Sequence, residues 1–340
     1  MKQKKLLPPW ANLLYPILLF LGGCTVVVHL AQGHQLLKIL YGSIWWLIFV
    51  AALFQVLMIL NQSALYRVAY RMARLPGHLG HLFMLVLASS FTMVAVPGGA
   101  LSGVGLMVYD TVRKGGEATR AVLANIIFFM IDYLAFIIIL IPALLYMLFH
   151  GVLKEYQIIA TGCLLALVAV GLLLILLTAL NPSGLSAFGN CLTKLLRFLP
   201  FFTKLNKKYS WGEKANNFIL GLSDAIRTMK TNRKWLFQAV LHALLMKAIG
   251  LLQLEALFLS FGAHPTPGQL IAGYAVGVLF MIVSITPSGV GIMEGAMTAA
   301  YVSVGIPLGK AALVTFTFRA LSFWLPIITG SFAIRRVIGE

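Results

Sequence analysis

Long apolar runs recur along the whole chain, near 11–31, 41–61, 79–97, 119–149, 157–180, 235–261, 268–286 and 310–333. A run of about 20 such residues crosses a hydrocarbon core of about 30 Å as a helix. Backbone in that core must satisfy its own hydrogen bonds, which leaves helices and closed barrels, and runs this long suit helices. Only 10% of the residues are charged, against about 25% in a soluble chain. The mean hydropathy is +0.94. These features predict an all-α polytopic membrane protein, a single transmembrane domain over 1–340.

The net charge of +17 does not point to nucleic acid, because the basic residues cluster between apolar runs. Positive-inside bias and anionic head groups account for that distribution. Cys24, Cys163 and Cys191 have neither pairing nor ligand spacing. His78 and His81 alone are too few for a metal site and read as interfacial histidines, so no metal is expected. At the N-terminus, Lys2, Lys4 and Lys5 precede an apolar run that continues past Leu21-Gly22-Gly23-Cys24, which suits an uncleaved signal anchor.

Basic residues also decide how many runs cross. Eight full spans from a cytoplasmic N-terminus put residues 181–234 outside, together with Lys194, Arg197, Lys204, Lys207, Lys208, Lys214, Arg227, Lys230, Arg233 and Lys234. That violates the orientation rule. If the third and seventh runs enter, turn and return, six full spans and two re-entrant hairpins remain, with both termini cytoplasmic. Then 21 of 26 basic residues lie inside. Multi-pass insertion in a bacterial cytoplasmic membrane is the expectation.

The two Pro/Gly-rich turns carry related sequences. Pro97-Gly98-Gly99 leads into Ser102-Gly103-Val104-Gly105-Leu106-Met107, and Pro287 leads into Ser288-Gly289-Val290-Gly291-Ile292-Met293, 186 residues later. Arg120-Ala121 and Lys310-Ala311 then open long apolar helices. This predicts an internal repeat, about 79–150 and about 268–335. The two copies enter from opposite sides, so the repeat is inverted, as in many alternating-access transporters. The connection 181–234 reads as basic and amphipathic: Phe188, Leu192, Leu195, Leu196 and Leu199 share a helical face. Ser210 to Glu213 resembles a capping box before a second apolar stripe. Lying among head groups and packing on the bundle are both open to it.

Irregular backbone at membrane depth is tolerated where it is buried in protein or lines a polar cavity. Pro97 and Pro287 are therefore candidate hinges, and Gly99, Gly103, Gly105, Gly289 and Gly291 are candidate backbone contacts to a head group. Helix N-termini after such breaks offer free N–H groups to an anion. Close helix packing is the alternative role for these glycines.

Charges in apolar runs cost about 2.5 kcal/mol or more and usually pair or face a cavity. Glu294 follows the second turn directly, and Arg319 lies along the next helix, so these two are the first expected pair. Asp132 with Lys247 is the second. Structural ion pairing is the alternative reading of each. Tyr109 and Arg113, just past the first turn, are candidates for a lipid phosphate, and Arg113 is equally a topology signal. Glu255 falls near the far interface. No nucleophile elbow, Walker loop or dinucleotide-binding context is present, so neither an enzyme nor a cofactor is expected.

At the two turns, in Glu294 and in Arg319, the sequence resembles the lysylphosphatidylglycerol synthase transmembrane-domain family, the flippase-like (YbhN-type) membrane proteins, over about residues 10–335. The resemblance implies translocation of phospholipids between leaflets, aminoacylated or otherwise modified, or of lipid-linked intermediates. It implies head-group handling by Glu294 and Arg319. Full-length synthases carry a soluble aminoacyl-transfer domain after the membrane part; this chain ends at Glu340, and lysyl transfer is not expected of it. The first turn is also four residues longer than the second and lacks an acidic counterpart of Glu294. Membrane phospholipids are the expected partners, with an enzyme partner and self-association left open. Two rivals stand beside the flippase reading: a secondary transporter of a small anion, and a non-catalytic partner of a lipid-modifying enzyme.

Overall fold

The computed structural model describes residues 39–96, 100–180, 233–284 and 286–339, all of it helix, turn or short connection. The apolar run 11–31, the connection 181–232, Pro97, Gly98 and Gly99, and Cys24 and Cys191 lie outside the described residues. The helices are α1 (Trp45–Met72), α2 (Leu79–Ala95), α3 (Ala100–Arg113), α4 (Ala118–Phe149) and α5 (Glu155–Leu180). There follow α6 (Arg233–Ser260), α7 (Pro267–Val283), α8 (Ile292–Ser303), α9 (Leu308–Arg319) and α10 (Leu325–Gly339). Seven of the eight predicted runs thus appear as helices; the eighth lies outside the described residues. Among the described residues, four helical stretches are long and apolar enough to cross a membrane: α1, α4, α6 and the α9–α10 unit, Leu308–Gly339.

The helices begin where the local chemistry allows it. Thr266 caps α7: its side chain accepts from the Gln269 N–H, the Gln269 side chain accepts in return from the Thr266 N–H, and Pro267 opens the first turn. α2 and α3 pack together as a helical hairpin, and so do α7 and α8. Their arms hold 17, 14, 17 and 12 residues. At 1.5 Å per residue each arm reaches about 26 Å at most, short of a crossing.

Among the described residues, the two largest apolar cores surround the hairpins. One gathers Leu65, Tyr66, Leu82, Leu85, Met107, Leu123 and Met246 around the first hairpin. The other gathers Phe136, Leu140, Leu257, Phe258, Tyr274, Met297, Tyr301 and Phe318 around the second. α1 and α6 pack along each other in opposite directions, since Gln253 donates to the Ala51 carbonyl and Asn61 donates to that of His242. Docking between hairpins and long helices is reciprocal: α2 packs on α10, and α7 packs on α4. Close approach explains why. Gly330 on α10 lies so near the Leu87 carbonyl that a methyl group would overlap it, and Gly268 on α7 accepts the Tyr146 ring of α4 in the same way.

The end of α2 meets the second turn. Val94 at the end of α2, Val290 in the second turn, and Phe323 and Ile327 after α9 form a small buried cluster of their own. There the last long unit departs from α geometry, through a π-turn over Ala320–Trp324. Such turns are frequent at functional sites.

Candidate functional site

Immediately beside that convergence lies a buried ion pair. The second turn runs Pro287–Gly289 as a 3₁₀ segment and continues through Val290 to Gly291, the residue before α8. Ser288, Gly289 and Gly291 have φ of 52°, 69° and 84°, a left-handed path that glycine follows without penalty. Gly289 is required twice, because a Cβ there would stand 2.8 Å from the Met281 Cα. Thr286 ties the turn, its hydroxyl donating to the Val290 carbonyl and its N–H to Ser284 Oγ.

This path delivers Glu294 and a free carbonyl to one cation. Arg319 Nε donates to Glu294 Oε1 at 2.8 Å, and its Nη2 donates to the Ser288 carbonyl at 3.1 Å. The other carboxylate oxygen, Oε2, accepts the Gly291 N–H at 2.8 Å. The guanidinium carbon stands 4.5 Å from the centre of the Phe323 ring. Side-chain exposure is 3% for Arg319 and 4% for Glu294. One arginine therefore binds the carboxylate, the strained turn and an aromatic face, which its planar fork permits and an ammonium does not.

The second expected pair also forms. Lys247 on α6 donates to Asp132 Oδ1 on α4 at 2.6 Å and stands 5.8 Å from the centre of the Phe136 ring. The remaining sequence candidates are placed differently. The guanidinium of Arg113 donates to the Val337 and Ile338 carbonyls, closing the C-terminus of α10. Tyr109 is exposed beside it on α3. Gly103 is a packing glycine: a Cβ there would stand 2.5 Å from Met93 Cγ and 2.7 Å from Ser89 Oγ. Gly105 faces open space. Ser102 to Met107 is thus continuous helix inside α3, whereas Ser288 to Gly291 forms a turn. The related hexapeptides have different local structures, and Gly103 and Gly105 do not sit in a turn as Gly289 and Gly291 do. Gly99 and Pro97 lie outside the described residues.

A third polar cluster was not anticipated. Asp110, buried in the last turn of α3, accepts from His81 Nε2 at 2.8 Å, and its other oxygen lies 3.4 Å from the Lys114 ammonium. Asp110 four residues before Lys114 is the helical pairing spacing, which is the signal that was available. His81 thus bonds within this cluster rather than with His78, and among the described residues no group of three or more metal-ligating side chains occurs.

The family model for the lysylphosphatidylglycerol synthase TM region matches residues 13–330. The chain belongs to this family. The lysylphosphatidylglycerol synthase transmembrane-region model therefore takes in both hairpins, both ion pairs and the π-turn. Among curated proteins, UPF0104 membrane protein MJ1595 of Methanocaldococcus jannaschii is 25% identical over 306 residues, 88% of this chain and 87% of that one. UPF0104 membrane protein PH1989 of Pyrococcus horikoshii is 26% identical over 145 residues, covering 41% of this chain and less than half of the relative, 43%. With its long apolar helices, the chain is a multi-pass membrane protein of this family.

Proposed function

We propose that the protein translocates phospholipids between leaflets, holding the polar head near Arg319 while the acyl chains stay in the bilayer. The observation that carries this reading is the Glu294–Arg319 pair, buried beside the second turn and the Phe323 ring. An ion pair in hydrocarbon is costly to keep and contributes little net stability. Its site beside irregular backbone and a π-turn suits a head group that exchanges with Glu294 for the guanidinium.

In this reading the two hairpins are re-entrant and belong to an inverted repeat. Three observations support it: arms too short to cross, reciprocal docking of α2 on α10 and α7 on α4, and the antiparallel α1–α6 pair. Charge favours one orientation in the cytoplasmic membrane. Arg71, Arg74, Arg113, Lys114, Arg233, Lys234, Arg335 and Arg336 gather at one end, which faces the cytoplasm, while Lys154 and Lys310 mark the other.

The test is leaflet exchange of acyl-labelled phosphatidylglycerol in liposomes holding the purified protein, read by dithionite quenching. Wild type exposes the protected label and Arg319→Ala does not. If a folded wild-type protein moves no anionic, zwitterionic or aminoacylated lipid, the reading fails.

A further inference from the structure

We infer that the outward face of α1 holds an anionic phospholipid, its phosphate on Arg67 and Arg71 and an acyl chain along Leu60 and Leu57. The inference requires that α1 crosses the membrane and is independent of the translocation reading.

Among the described residues, the other covered cations all have partners. Arg319 and Lys247 hold carboxylates, Arg120 pairs with Glu117, and Lys310 donates to the Gly262 carbonyl. Arg67 is half-buried on α1, and its side chain has neither an ion-pair nor a hydrogen-bond partner. Its Nε is shut away from water without an acceptor, whereas its two amino groups, equally unpartnered, are not buried. A covered charged donor in this state is costly, which favours an acceptor from outside the chain. The described carboxylates at this end are already engaged: Asp110 by His81 and Lys114, and Glu117 by Arg120. Arg71, one turn farther along the same face, is exposed, and its side chain also has no partner.

The surroundings select a lipid over a dissolved anion. Leu53, Leu57, Leu60, Ala64, Arg67 and Arg71 alternate spacings of four and three, which is one line along a helix. The three leucines are 52%, 47% and 40% exposed, and Ala64 is the small residue between them and the guanidinium groups. Depth agrees with this. Trp45 and Trp46, exposed at the other end of α1, mark the opposite interface. Arg67 lies about 33 Å farther along the helix, and the hydrocarbon is about 30 Å thick, so its guanidinium stands at the level of lipid phosphates. Leu60 and Leu57 lie about 10 and 15 Å deeper, within the acyl region of the same leaflet. Two guanidinium groups at phosphate depth, continued by an apolar line at acyl depth, match an anionic phospholipid at both ends.

The test is native mass spectrometry of the full chain in detergent, titrated with phosphatidylglycerol or with phosphatidylcholine of the same acyl chains. Wild type is expected to bind its first phosphatidylglycerol at least about fivefold more tightly than its first phosphatidylcholine, the effect of one basic residue at an anionic surface. Equal affinities overturn the site. The double variant Arg67→Gln with Arg71→Gln strands no partner and is expected to abolish the preference, while Arg67→Lys with Arg71→Lys retains it. Arg335→Gln with Arg336→Gln, which removes two exposed cations from the same end, leaves it unchanged. A preference that survives the first variant, or falls equally with the last, shows binding that follows net charge and overturns the site. Displacement of the bound lipid by millimolar glycerol phosphate overturns the acyl contact. Melting temperatures in phosphatidylcholine, expected to match wild type for all three variants, separate loss of the site from loss of the fold. Leaflet exchange is read by the Arg319 variant, so either proposal fails without the other.

Discussion

The carboxylate of Glu294 is shared between Arg319, 2.8 Å from one oxygen, and the Gly291 N–H, 2.8 Å from the other, so a single side chain caps α8 and binds α9. Removing either charge leaves the other buried. Arg319→Ala is therefore expected to cost about 3–5 kcal/mol of stability. The apolar double variant Glu294→Leu with Arg319→Met strands no charge and is expected to melt above Arg319→Ala, short of wild type by what the orphaned Gly291 N–H and Ser288 carbonyl cost. Thermal unfolding in detergent, followed by leaflet exchange on the same samples, separates the roles. A stable double variant without translocation assigns the pair to head-group handling; one that still translocates makes it structural.

Arg319→Lys tests the planar fork. An ammonium retains the charge but cannot bind Glu294, reach the Ser288 carbonyl and stack on Phe323 together. A loss of about 1–3 kcal/mol is expected, from the orphaned turn carbonyl and the lost stacking. An unchanged melting temperature argues against that accounting.

What the sequence disclosed follows from the strength of each physical constraint. Helix positions were legible because a run such as 119–149 has few alternatives in hydrocarbon, and α4 covers Ala118–Phe149. Both ion pairs were legible because Asp132, Lys247, Glu294 and Arg319 needed partners there. The two hexapeptides misled, because identical glycines serve different constraints. Gly103 admits Met93 and Ser89 from α2, whereas Gly289 supplies a positive φ against Met281. Spacing cannot distinguish close packing from backbone conformation. Arg113 was ambiguous for a similar reason: a basic residue at a helix end suits a lipid phosphate and a helix C-terminus equally, and only the approach of Val337 and Ile338 decides.

That contrast yields a prediction with opposite outcomes at related positions. Gly289→Ala meets a left-handed backbone and the Met281 Cα, and is expected to destabilise by more than about 1 kcal/mol. Gly105→Ala lies in helix beside open space, and a gain of about 0.5–1 kcal/mol is expected from helix propensity. Parallel melts of the two variants check the assignment, and equal effects refute it.

Acidification probes the third cluster. Burial pushes the Asp110 carboxyl up, but the hydrogen bond and charge of His81 and the charge of Lys114 outweigh it, so the group lies below the ordinary value of 3.8. A carboxylate with a lowered folded-state value binds more protons when unfolded, so its stabilisation is present above that ordinary value and is lost as pH falls through the lowered one. Melting temperature followed from pH 7 downward is therefore expected to keep this contribution to about pH 4 and lose it below. Asp110→Asn removes the charge in both states and flattens that part of the acid limb. Half of Lys114 is exposed, so solvent screening keeps its share small, and His81→Ala is expected to reproduce more of the Asp110→Asn effect than Lys114→Ala does. The reverse order places the stabilisation on the ammonium and removes His81 from the account.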